Sequence, residues 1–472
     1  MKVIFIVPAG DVRRTKVYRA GNNLYGHTNS VTGPLILGHI LKDAGHKVEV
    51  YEELYTDLDF SALKDADVYC LYTMTSNAPR AYFLADKLRR ETKAGVIIGG
   101  MHATVRPEEA AEHADHVVVG EAETVIRDVV EGKLSDRIVH ASCVMNLDEI
   151  PFPDYSLLKT PCDTANVMAS RGCPFCCSFC TTSRMFHPYR RRSVDSVIKE
   201  LRYYKTLGFK YMNFEDDNFT ADRERVKEIC NRMIAENLIF KETFFFGRTD
   251  LAKDEEMLSL LEQAHLNRVL VGIESLNQES LDLIKKHQSI ADIENCAKAL
   301  RRHKIRLIAS LVLGIDTDGP EDIRRGVDFA KKINAYQLQP AIMTPFPGTA
   351  VYEQLEKEQR MVTQDWSVFD MMNVTFIPKK MSAWELQQEF LRAIRHFYTL
   401  PSSLKIAKTF GINFGLRRFG LALIIQIGVL GINLLSAFKK DTYLYKLRHL
   451  NSNQKQKRHH NWHHRNRAIL GG

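Results

Sequence analysis

The chain has 472 residues, too many for one ordinary domain, and with 45% hydrophobic and 26% charged residues its composition is that of a globular protein. Its nine cysteines, four of them within eight residues, exclude a disulfide framework and favour a reducing cytoplasm. The net charge of +8 resides in the segment from Lys439 onward, which excludes a broad nucleic-acid-binding face.

Residues 1–140 alternate short apolar runs with amphipathic ones. The run Lys2–Val7 predicts a buried strand and is too short for a secretory signal. Apolar spacing predicts a helix over Pro34–Ala44 that ends at Gly45. The same rhythm predicts further strands and helices at Lys47–Tyr51, Asp67–Tyr72, Pro79–Glu91, Gly95–Ile98, Pro107–His113 and His116–Val119. This alternation predicts an α/β fold, a Rossmann-like, doubly wound parallel sheet whose ligand would lie beyond the carboxyl ends of the strands.

Small and polar residues follow three of these strands. Paired glycines let the backbone approach a ligand closely, and hydroxyls can satisfy its amides or phosphate. Tight turns in a sheet without a ligand are the alternative, and spacing alone leaves both open. The candidate ligand-binding residues at these strand ends are Thr73, Ser76, Gly99, Gly100, Gly120 and Glu121.

The segment from 141 to 164 differs from the alternating region before it. It contains Pro151 and Pro153 and has no periodicity, so we predict an extended linker.

The loop after a predicted strand at Ala165–Ala169 holds Cys173, Cys177 and Cys180 in C-x3-C-x2-C spacing. Thiolates are the natural ligands of iron-sulfur clusters, and a cluster of four irons normally takes four of them. Three ligands would leave one iron open to do chemistry on a bound molecule. Cys176 is an alternative fourth ligand, although it directly precedes Cys177 and both thiolates could hardly reach one cluster. A zinc site is disfavoured because no second cysteine pair follows.

The region from 165 to 350 continues as alternating strands and helices. Ser193 is a predicted N-cap for a helix over Val194–Leu207. Six strands predict a partial (β/α)6 TIM-type barrel with its functional residues at the carboxyl ends of the strands. After the first strand, Ala165–Ala169, the predicted strands are Tyr211–Phe214, Thr243–Gly247, Arg268–Gly272, Leu307–Val312 and Ala335–Ala341. The predicted helices that accompany them cover residues 222–236, 254–264, 277–286, 290–303 and 320–333.

Acidic residues follow two strands of this predicted barrel. Asp216 and Asp217 follow the second strand and stand between Phe214 and Phe219, and Glu274 follows the fourth. The flanking aromatic residues favour a partly enclosed carboxylate pair, with a solvated turn as the alternative.

The carboxyl-terminal region has two parts. Residues 351–400 predict a small unit whose helix over Ser382–Tyr398 would close the barrel mouth. In residues 401–472, the stretch Phe419–Phe438 has no charged residue and has the length that a bilayer core requires. We predict a membrane-embedded or in-plane helix, and a buried helix or a dimer face is the alternative. The basic tail suits an anionic cytoplasmic leaflet, and its histidines are assigned no site.

The cysteine loop resembles the signature of the radical S-adenosylmethionine (SAM) superfamily. Phe-x-Asp-Asp-x-Phe, Gly-Ile-Glu-Ser and Leu-Gly-x-x-x-Asp-Gly-Pro-Glu-Asp are similar to segments of the same superfamily. Gly-Gly-x-His-Ala-Thr and Val-Val-x-Gly-Glu-x-Glu resemble the cobalamin-binding domain of its cobalamin-dependent branch. The D-x-H-x-x-G motif that places histidine on cobalt in other cobalamin domains is absent, so we favour a loop role for His102. A domain without cofactor remains the alternative.

This resemblance implies the cofactors and the residues that bind them. It implies a 4Fe-4S cluster on Cys173, Cys177 and Cys180, with SAM chelating the open iron. Asp216 or Asp217 and Glu274 would help to hold SAM. Arg190 would brace the cluster region. Cobalamin would lie at the strand ends of the amino-terminal domain, and no residue is assigned as a catalytic acid or base.

The implied function is cobalamin-dependent methylation of an unactivated carbon in an apolar substrate, initiated by a 5'-deoxyadenosyl radical. One alternative resembles the anaerobic magnesium-protoporphyrin ester cyclases and is an oxidative cyclisation or rearrangement of a tetrapyrrole or lipid. Another is a non-catalytic iron-sulfur or cobalamin sensor. The implied partners are an external electron donor such as flavodoxin or ferredoxin and a membrane surface, with no nucleic acid. The expected location is the cytoplasm, free or at the inner face of the membrane.

Overall fold

The computed structural model describes residues 1–11, 13–15, 19, 28–439 and 442–454. The tail beyond residue 454, with most of its predicted basic charge and its histidine pairs, lies outside the described residues. The chain forms two compact units. The first unit comprises Met1–Gly272, Ala291–Ile308 and Phe346–Ala350, and the second comprises Ile273–Ile290, Ala309–Pro345 and Val351–Gly472.

The first unit begins with six strands: β1 Lys2–Val7, β2 Lys47–Glu52, β3 Val68–Tyr72, β4 Gly95–Gly99, β5 His116–Val119 and β6 Ile138–His140. They form one parallel sheet in the order β2-β1-β3-β4-β5-β6. The predicted doubly wound sheet is therefore confirmed, and five of its six strands were predicted. The sixth, β6, is only three residues long and has too few residues to display a period.

This sheet is buried on both faces, as parallel sheets usually are. Along β1, Val3 and Phe5 belong to one hydrophobic core, and Ile4 and Ile6 belong to the other. Continuous apolar strands are the consequence of this double burial. The helices that cover the sheet are Thr32–Asp43, Phe60–Leu63, Ala78–Glu91, Met101–Val105, Pro107–Ala111 and Ile126–Val130.

The strands that follow are β7 Thr164–Val167, β8 Ser170–Arg171, β9 Arg190–Arg191, β10 Tyr211–Phe214, β11 Glu242–Gly247, β12 Arg268–Glu274, β13 Arg306–Leu313 and β14 Gln337–Ile342. Strands β7 and β10 to β14 form a six-stranded sheet in chain order, while β8 and β9 pair with each other. Helices alternate with the six strands, which confirms the predicted partial (β/α)6 barrel. These helices are Thr182–Met185, Val194–Thr206, Arg223–Ala235, Glu255–Gln263, Gln278–Leu283, Ile290–Arg302 and Pro320–Lys332.

Side-chain caps fix where several barrel helices begin. The hydroxyl of Ser193 accepts a hydrogen bond from the backbone N–H of Ser196, which confirms the predicted N-cap. Asp222 and Asp254 cap the next two long helices in the same way. Each cap satisfies a helical N–H that would otherwise lack a partner.

The carboxyl-terminal region is helical, as predicted. Its helices are Ala350–Lys357, Ala383–Phe397, Leu400–Phe410, Ile412–Phe438 and Tyr443–Gln454. In the second unit, an added Cβ at Gly415 would lie 2.3 Å from the Cβ of Ala407, so glycine permits close packing of the helices Leu400–Phe410 and Ile412–Phe438.

Candidate functional site

The cysteine loop is closed at its base by a two-residue antiparallel ladder. Arg171 in β8 pairs with Arg190 in β9, and the loop between them carries the three predicted cluster ligands. Gly172, the first residue of the loop, has φ +82°, and an added Cβ would lie 2.2 Å from the carbonyl oxygen of Phe186. Only glycine therefore allows the chain to enter the loop along this path.

The donor chemistry of the loop fits an iron-sulfur cluster. Cys173, Cys177 and Cys180 form no disulfide and are half-buried, whereas Cys176 forms no disulfide and is exposed. Burial raises the pKa of the Cys173 thiol, while a backbone hydrogen bond from Phe175 opposes the rise. In the part of the chain that the structure describes, no group of three His, Cys, Asp or Glu side chains is spaced for a metal ion. A cubane cluster differs from such a site because it spreads its thiolates over separate irons.

The turn after β10 supports both ends of the loop. Asp216, 1% exposed, accepts hydrogen bonds from the Ala169 backbone at 3.0 Å and the Ser170 hydroxyl at 2.5 Å. Burial raises the pKa of Asp216 to about 6, despite those hydrogen bonds and the nearby charge of Arg225. Asp217 interacts with the Thr182 side chain and the Gly172 backbone. The predicted carboxylate pair therefore contacts the segments that lead into and out of the cysteines.

The two carboxylates of this pair differ in exposure: Asp216 is buried and Asp217 is exposed, so the predicted enclosure is found for Asp216 alone. The rings of Phe214 and Phe219 stack with centroids 4.1 Å apart, and both side chains are buried. The turn that carries Asp216 therefore rests on a packed base rather than in solvent.

A buried charge network joins the end of β5 to the base of the loop. Glu121, 8% exposed, pairs with Arg190 at 2.5 Å and with Arg171 at 3.1 Å. It also accepts a hydrogen bond from the Val144 backbone at 2.9 Å. Arg171 reaches Glu123 at 2.5 Å as well. Burial alone would raise the pKa of Glu121, but the two arginines and the Val144 N–H lower it, so its carboxylate is charged.

Sequence reasoning expected Glu121 among the cobalamin contacts and did not foresee this network. Arg190 was expected to brace the cluster region. It lies in β9, at the base of the cysteine loop, and donates a hydrogen bond to Glu121. No role was predicted for Arg248, which directly follows β11. Its Nη1 lies 3.9 Å from the Cys177 sulfur, and its guanidinium lies 3.9 Å from the ring centroid of Phe175. Its position at a strand end was the available signal.

The predicted ligand-binding residues of the amino-terminal sheet share one edge. Thr73 is fully buried, and its hydroxyl donates to the Gly99 carbonyl at 2.8 Å and accepts from the Ala103 N–H at 3.1 Å. The hydroxyl of Thr104 links two further loops, since it donates to Gly100 and accepts from the N–H of Gly120. The loops after β3, β4 and β5 are thus hydrogen-bonded to each other.

Two glycines at this edge are required by the fold. Gly100 has φ +108°, and an added Cβ would lie 2.5 Å from the carbonyl oxygen of Thr73. Gly120 has φ +91°, with the carbonyl oxygen of Ala141 only 2.9 Å from such a Cβ. Gly99 and Ser76 are half-buried. At Gly100 and Gly120 the backbone approaches another backbone segment closely, which explains these two glycines without a ligand.

Glu274 belongs to the second unit. It has φ +63° and forms a buried ion pair with Lys286, whose Nζ lies 2.6 Å from Oε1. Nearby, Asp318 accepts hydrogen bonds from Ser275 and Ser280. A non-glycine residue at positive φ is uncommon and costs backbone strain, which the ion pair and its surroundings hold in place.

Two protein families match this chain, one over the amino-terminal sheet and one over the barrel. The B12 binding domain family matches residues 25–130, and the radical SAM superfamily matches residues 167–330. The second match begins just before the cysteine loop and includes Asp216, Asp217, Arg248 and Glu274.

Similar proteins include methyltransferases and a cyclase. The chain is 26% identical to an uncharacterised methyltransferase of Pyrococcus horikoshii, over 86% of this chain and 94% of the relative. It is 28% identical to the bacteriochlorophyllide d C-12(1)-methyltransferase of Chlorobaculum tepidum, over 74% and 77%. It is 24% identical to the anaerobic magnesium-protoporphyrin IX monomethyl ester cyclase of Cereibacter sphaeroides, over 64% and 55%.

A solved structure has the same fold. The cobalamin-dependent SAM radical enzyme OxsB, solved with aqua-cobalamin and SAM bound, aligns with a TM-score of 0.67 and 14% identity. The alignment covers 96% of this chain and 75% of that one. At this identity the likeness concerns the fold.

Proposed function

The chain belongs to the cobalamin-binding radical SAM enzymes, and from that premise we propose that it methylates an unactivated carbon of an apolar substrate. The observation that carries the proposal is the Glu121 network, because it joins a strand end of the B12 binding domain directly to the base of the cysteine loop. Such a link suits chemistry in which two cofactors act on one substrate.

The cofactors are a 4Fe-4S cluster, SAM and cobalamin. We propose Cys173, Cys177 and Cys180 as the cluster ligands, because their half-buried thiols are not in disulfides and offer the donors that iron prefers. Asp216 or Asp217 and Glu274 are proposed to help hold SAM. When bound, the cluster and SAM supply a radical that removes a hydrogen atom from the substrate, and methylcobalamin supplies the methyl group.

Four residues of this chain hold the cysteine loop in position. Asp216 and Asp217 hold the two ends of the cysteine loop, which fixes where the cluster would stand. Arg190 and Arg171 keep the loop base against Glu121. These contacts limit the motion of the loop, and a fixed geometry is what a short-lived radical requires to react at one carbon.

Cobalamin is proposed to lie at the strand ends that carry Thr73, Ser76, Gly99, Gly100 and Gly120. The partial exposure of Gly99 and Gly100 and the exposure of Gly120 leave backbone accessible at this edge. The carboxylate of Glu121 pairs with Arg171 and Arg190. We therefore propose that Glu121 supports the cobalamin edge indirectly, by holding these two arginines.

An oxidative cyclisation or rearrangement is the second candidate. It is supported by the likeness to the cyclase of Cereibacter sphaeroides. Methylation is preferred because the two methyltransferases are 26% and 28% identical to this chain, whereas the cyclase is 24% identical. The substrates of these relatives include chlorophyll-type tetrapyrroles, which are consistent with an apolar substrate here.

The helix Ile412–Phe438 supports an apolar substrate and a membrane surface. An 18-residue stretch of this helix has a mean hydropathy of 2.2, and only 17% of that stretch is buried. Exposed apolar residues recur on one face at Ile412, Leu416, Phe419, Leu423, Ile427, Leu430, Leu434 and Phe438. The opposite face packs within the second unit, so we propose that the helix lies in the plane of a membrane surface. Exposed Arg417 and Lys439 would suit anionic lipid there.

The enzyme is proposed to work in the cytoplasm, free or at the inner face of the membrane. A cluster held by the cysteine loop would need one electron for each SAM molecule cleaved, and we propose that an external low-potential protein such as flavodoxin or ferredoxin supplies it.

Anaerobic reconstitution tests the proposal. The full chain loaded with iron, sulfide and cobalamin and reduced with dithionite should convert SAM to 5'-deoxyadenosine. Cys177→Ala should abolish that conversion, whereas the exposed neighbour variant Cys176→Ala should retain it. Retained conversion in Cys177→Ala contradicts the cluster assignment. Loss of conversion in Cys176→Ala would assign a fourth ligand instead.

The reaction type is tested by mass spectrometry of apolar metabolites from cells with and without the protein. Methylation predicts a product heavier than its precursor by one methylene unit. A product that has lost hydrogens at unchanged carbon number would contradict methylation and favour cyclisation.

A further inference from the structure

Arg248 differs from the other two buried arginines at the cysteine loop in what it contacts. Arg171 and Arg190 direct their guanidinium groups to the carboxylate of Glu121. Arg248, 7% exposed, contacts a cysteine sulfur and an aromatic ring of the loop itself. Its charge is therefore placed against a proposed cluster ligand.

Two contacts join this guanidinium to the cysteine loop. Nη1 lies 3.9 Å from the sulfur of Cys177, within the range of a weak hydrogen bond to sulfur. The central carbon lies 3.9 Å from the ring centroid of Phe175, well inside the distance for a cation–π contact. The ring lies two residues before Cys177, so the loop itself supplies the surface on which the arginine rests.

The backbone before Arg248 is closely packed. The preceding Gly247 ends β11, and an added Cβ there would lie 2.9 Å from Leu251 and 3.4 Å from Thr220. The end of β11 is therefore closely surrounded by side chains of its neighbours. Arg248 approaches Cys177 from the residue that directly follows this strand.

A positive charge beside a cluster thiolate acts on the electron transfer into the cluster. Reduction adds one electron, which an external one-electron carrier supplies, and therefore adds one negative charge next to Arg248. Hydrogen bonds to cluster sulfurs and the net charge around them are among the factors that set the reduction potentials of such clusters. The reduced state gains more from a nearby cation than the oxidised state does.

We propose that Arg248 is a positioning residue that raises the reduction potential of the cluster held by Cys177. The inference rests on the proposed function, because it requires a 4Fe-4S cluster on the cysteine loop. It predicts that the arginine eases electron entry without contacting the substrate.

The test is a redox titration of the reconstituted full chain, followed by electron paramagnetic resonance in the absence of SAM. Arg248→Gln should take up iron and sulfide as the wild type does and show a more negative midpoint potential. Arg248→Lys keeps the charge but loses the planar stack, so its midpoint should fall between the two. Phe175→Leu removes the stacking ring and should shift the potential in the same direction as Arg248→Gln.

Arg202→Gln is the matched control, because Arg202 is exposed on the helix Val194–Thr206 and pairs with Glu236. Its midpoint should equal that of the wild type. Equal midpoints for wild type and Arg248→Gln overturn the proposal. If Arg248→Gln fails to take up iron, Phe175→Leu decides, and a wild-type midpoint in that variant also overturns the proposal. A wild-type chain that takes up no iron would instead contradict the proposed function.

Discussion

Glu121 and Arg190 form a two-point ion pair in which Nη1 lies 2.9 Å from Oε2 and Nη2 lies 2.5 Å from Oε1. Two parallel N–H···O bonds fix both the distance and the orientation of the partners. Since Glu121 follows strand β5 of the B12 binding domain and Arg190 closes the cysteine loop, this pair couples the position of the loop to that domain.

Glu121→Gln should therefore loosen the loop. The variant leaves two buried guanidinium groups facing an amide that carries no charge. Breaking a buried pair by removing one partner costs about 3–5 kcal/mol. We expect a lower urea midpoint for the full chain and fewer irons bound per chain after reconstitution.

Glu131→Gln is the control for this loss of charge. Glu131 pairs with Arg127 and Lys133 at the surface of the same domain. Its variant should keep the wild-type urea midpoint and iron content. The coupling would be contradicted if Glu121→Gln also kept both.

Gly172→Ala should prevent the loop from closing. A methyl group there would lie 2.2 Å from the Phe186 carbonyl oxygen, in addition to the strain of an alanine at φ +82°. Strain of this kind alone costs about 1–3 kcal/mol, and the contact adds to it. Iron content after reconstitution should fall sharply.

Gly208→Ala separates strain from contact. Gly208 has nearly the same conformation, φ +80°, but nothing lies within 4 Å of an added Cβ. This variant should be slightly less stable than the wild type and bind iron normally. An equal loss of iron in both variants would mean that the close approach to Phe186 has no special importance.

The regular parts of the fold were predictable because burial imposes a pattern on the sequence. The strands Lys2–Val7 and Tyr211–Phe214 were predicted with their observed bounds. Lys2–Val7 is an apolar run buried on both faces, whereas Tyr211–Phe214 has alternate residues buried. The strands β8 and β9 were not predicted. Each has two residues, and they depend on a pairing between Ser170 and Arg191, which are distant in sequence.

The candidate ligands could be selected from local sequence patterns, whereas the contacts that support them could not. The three cysteines were selected by their spacing, and the Asp216-Asp217 pair was selected by its position after a predicted strand. The role of Glu121 depends on Arg171 and Arg190, about 50 and 70 residues later in the chain. No local pattern encodes such a contact, because it follows from how the chain folds back.

Glu52 should make stability depend on pH. It is 3% exposed, and burial raises its pKa to about 7, although it accepts hydrogen bonds from Ser30 and Val31. A carboxyl with a raised pKa binds its proton more tightly when folded, so its stabilising effect is complete below its unfolded pKa and is lost as pH rises through about 7. The shift corresponds to about 3 kcal/mol.

Glu52→Gln should remove that dependence, because an amide can accept the same hydrogen bonds and does not titrate. The free energy of unfolding of wild type and variant is measured by urea titration between about pH 5 and pH 8, in steps of about 0.5 pH units. This range includes the folded pKa of Glu52, about 7. The wild type should lose stability relative to the variant as pH rises. Parallel curves would show that Glu52 does not titrate as its burial requires.

The exposed face of the helix Ile412–Phe438 should bind anionic membranes. The side chains of Leu423 and Ile427 are 52% and 64% exposed on this face. Burying an aliphatic side chain of this size contributes about 1.5–3 kcal/mol, so replacing both with glutamate should weaken vesicle binding by at least about tenfold. Cosedimentation with vesicles of phosphatidylglycerol and phosphatidylcholine provides the measurement, and high salt should weaken wild-type binding because exposed cations contribute to it.

Leu283→Glu is the matched control, since Leu283 is 51% exposed at the end of a barrel helix and lies outside this face. Its binding to vesicles should equal that of the wild type. Analytical ultracentrifugation distinguishes a membrane from a second copy of the chain as the partner. If the wild type dimerises without binding vesicles, and the double glutamate variant is monomeric, the face is a dimer interface and the membrane proposal is wrong. Binding of the wild type to vesicles as a monomer, with loss in the double variant alone, is the expected result because a one-sided apolar helix with basic ends is suited to the plane of the lipid surface.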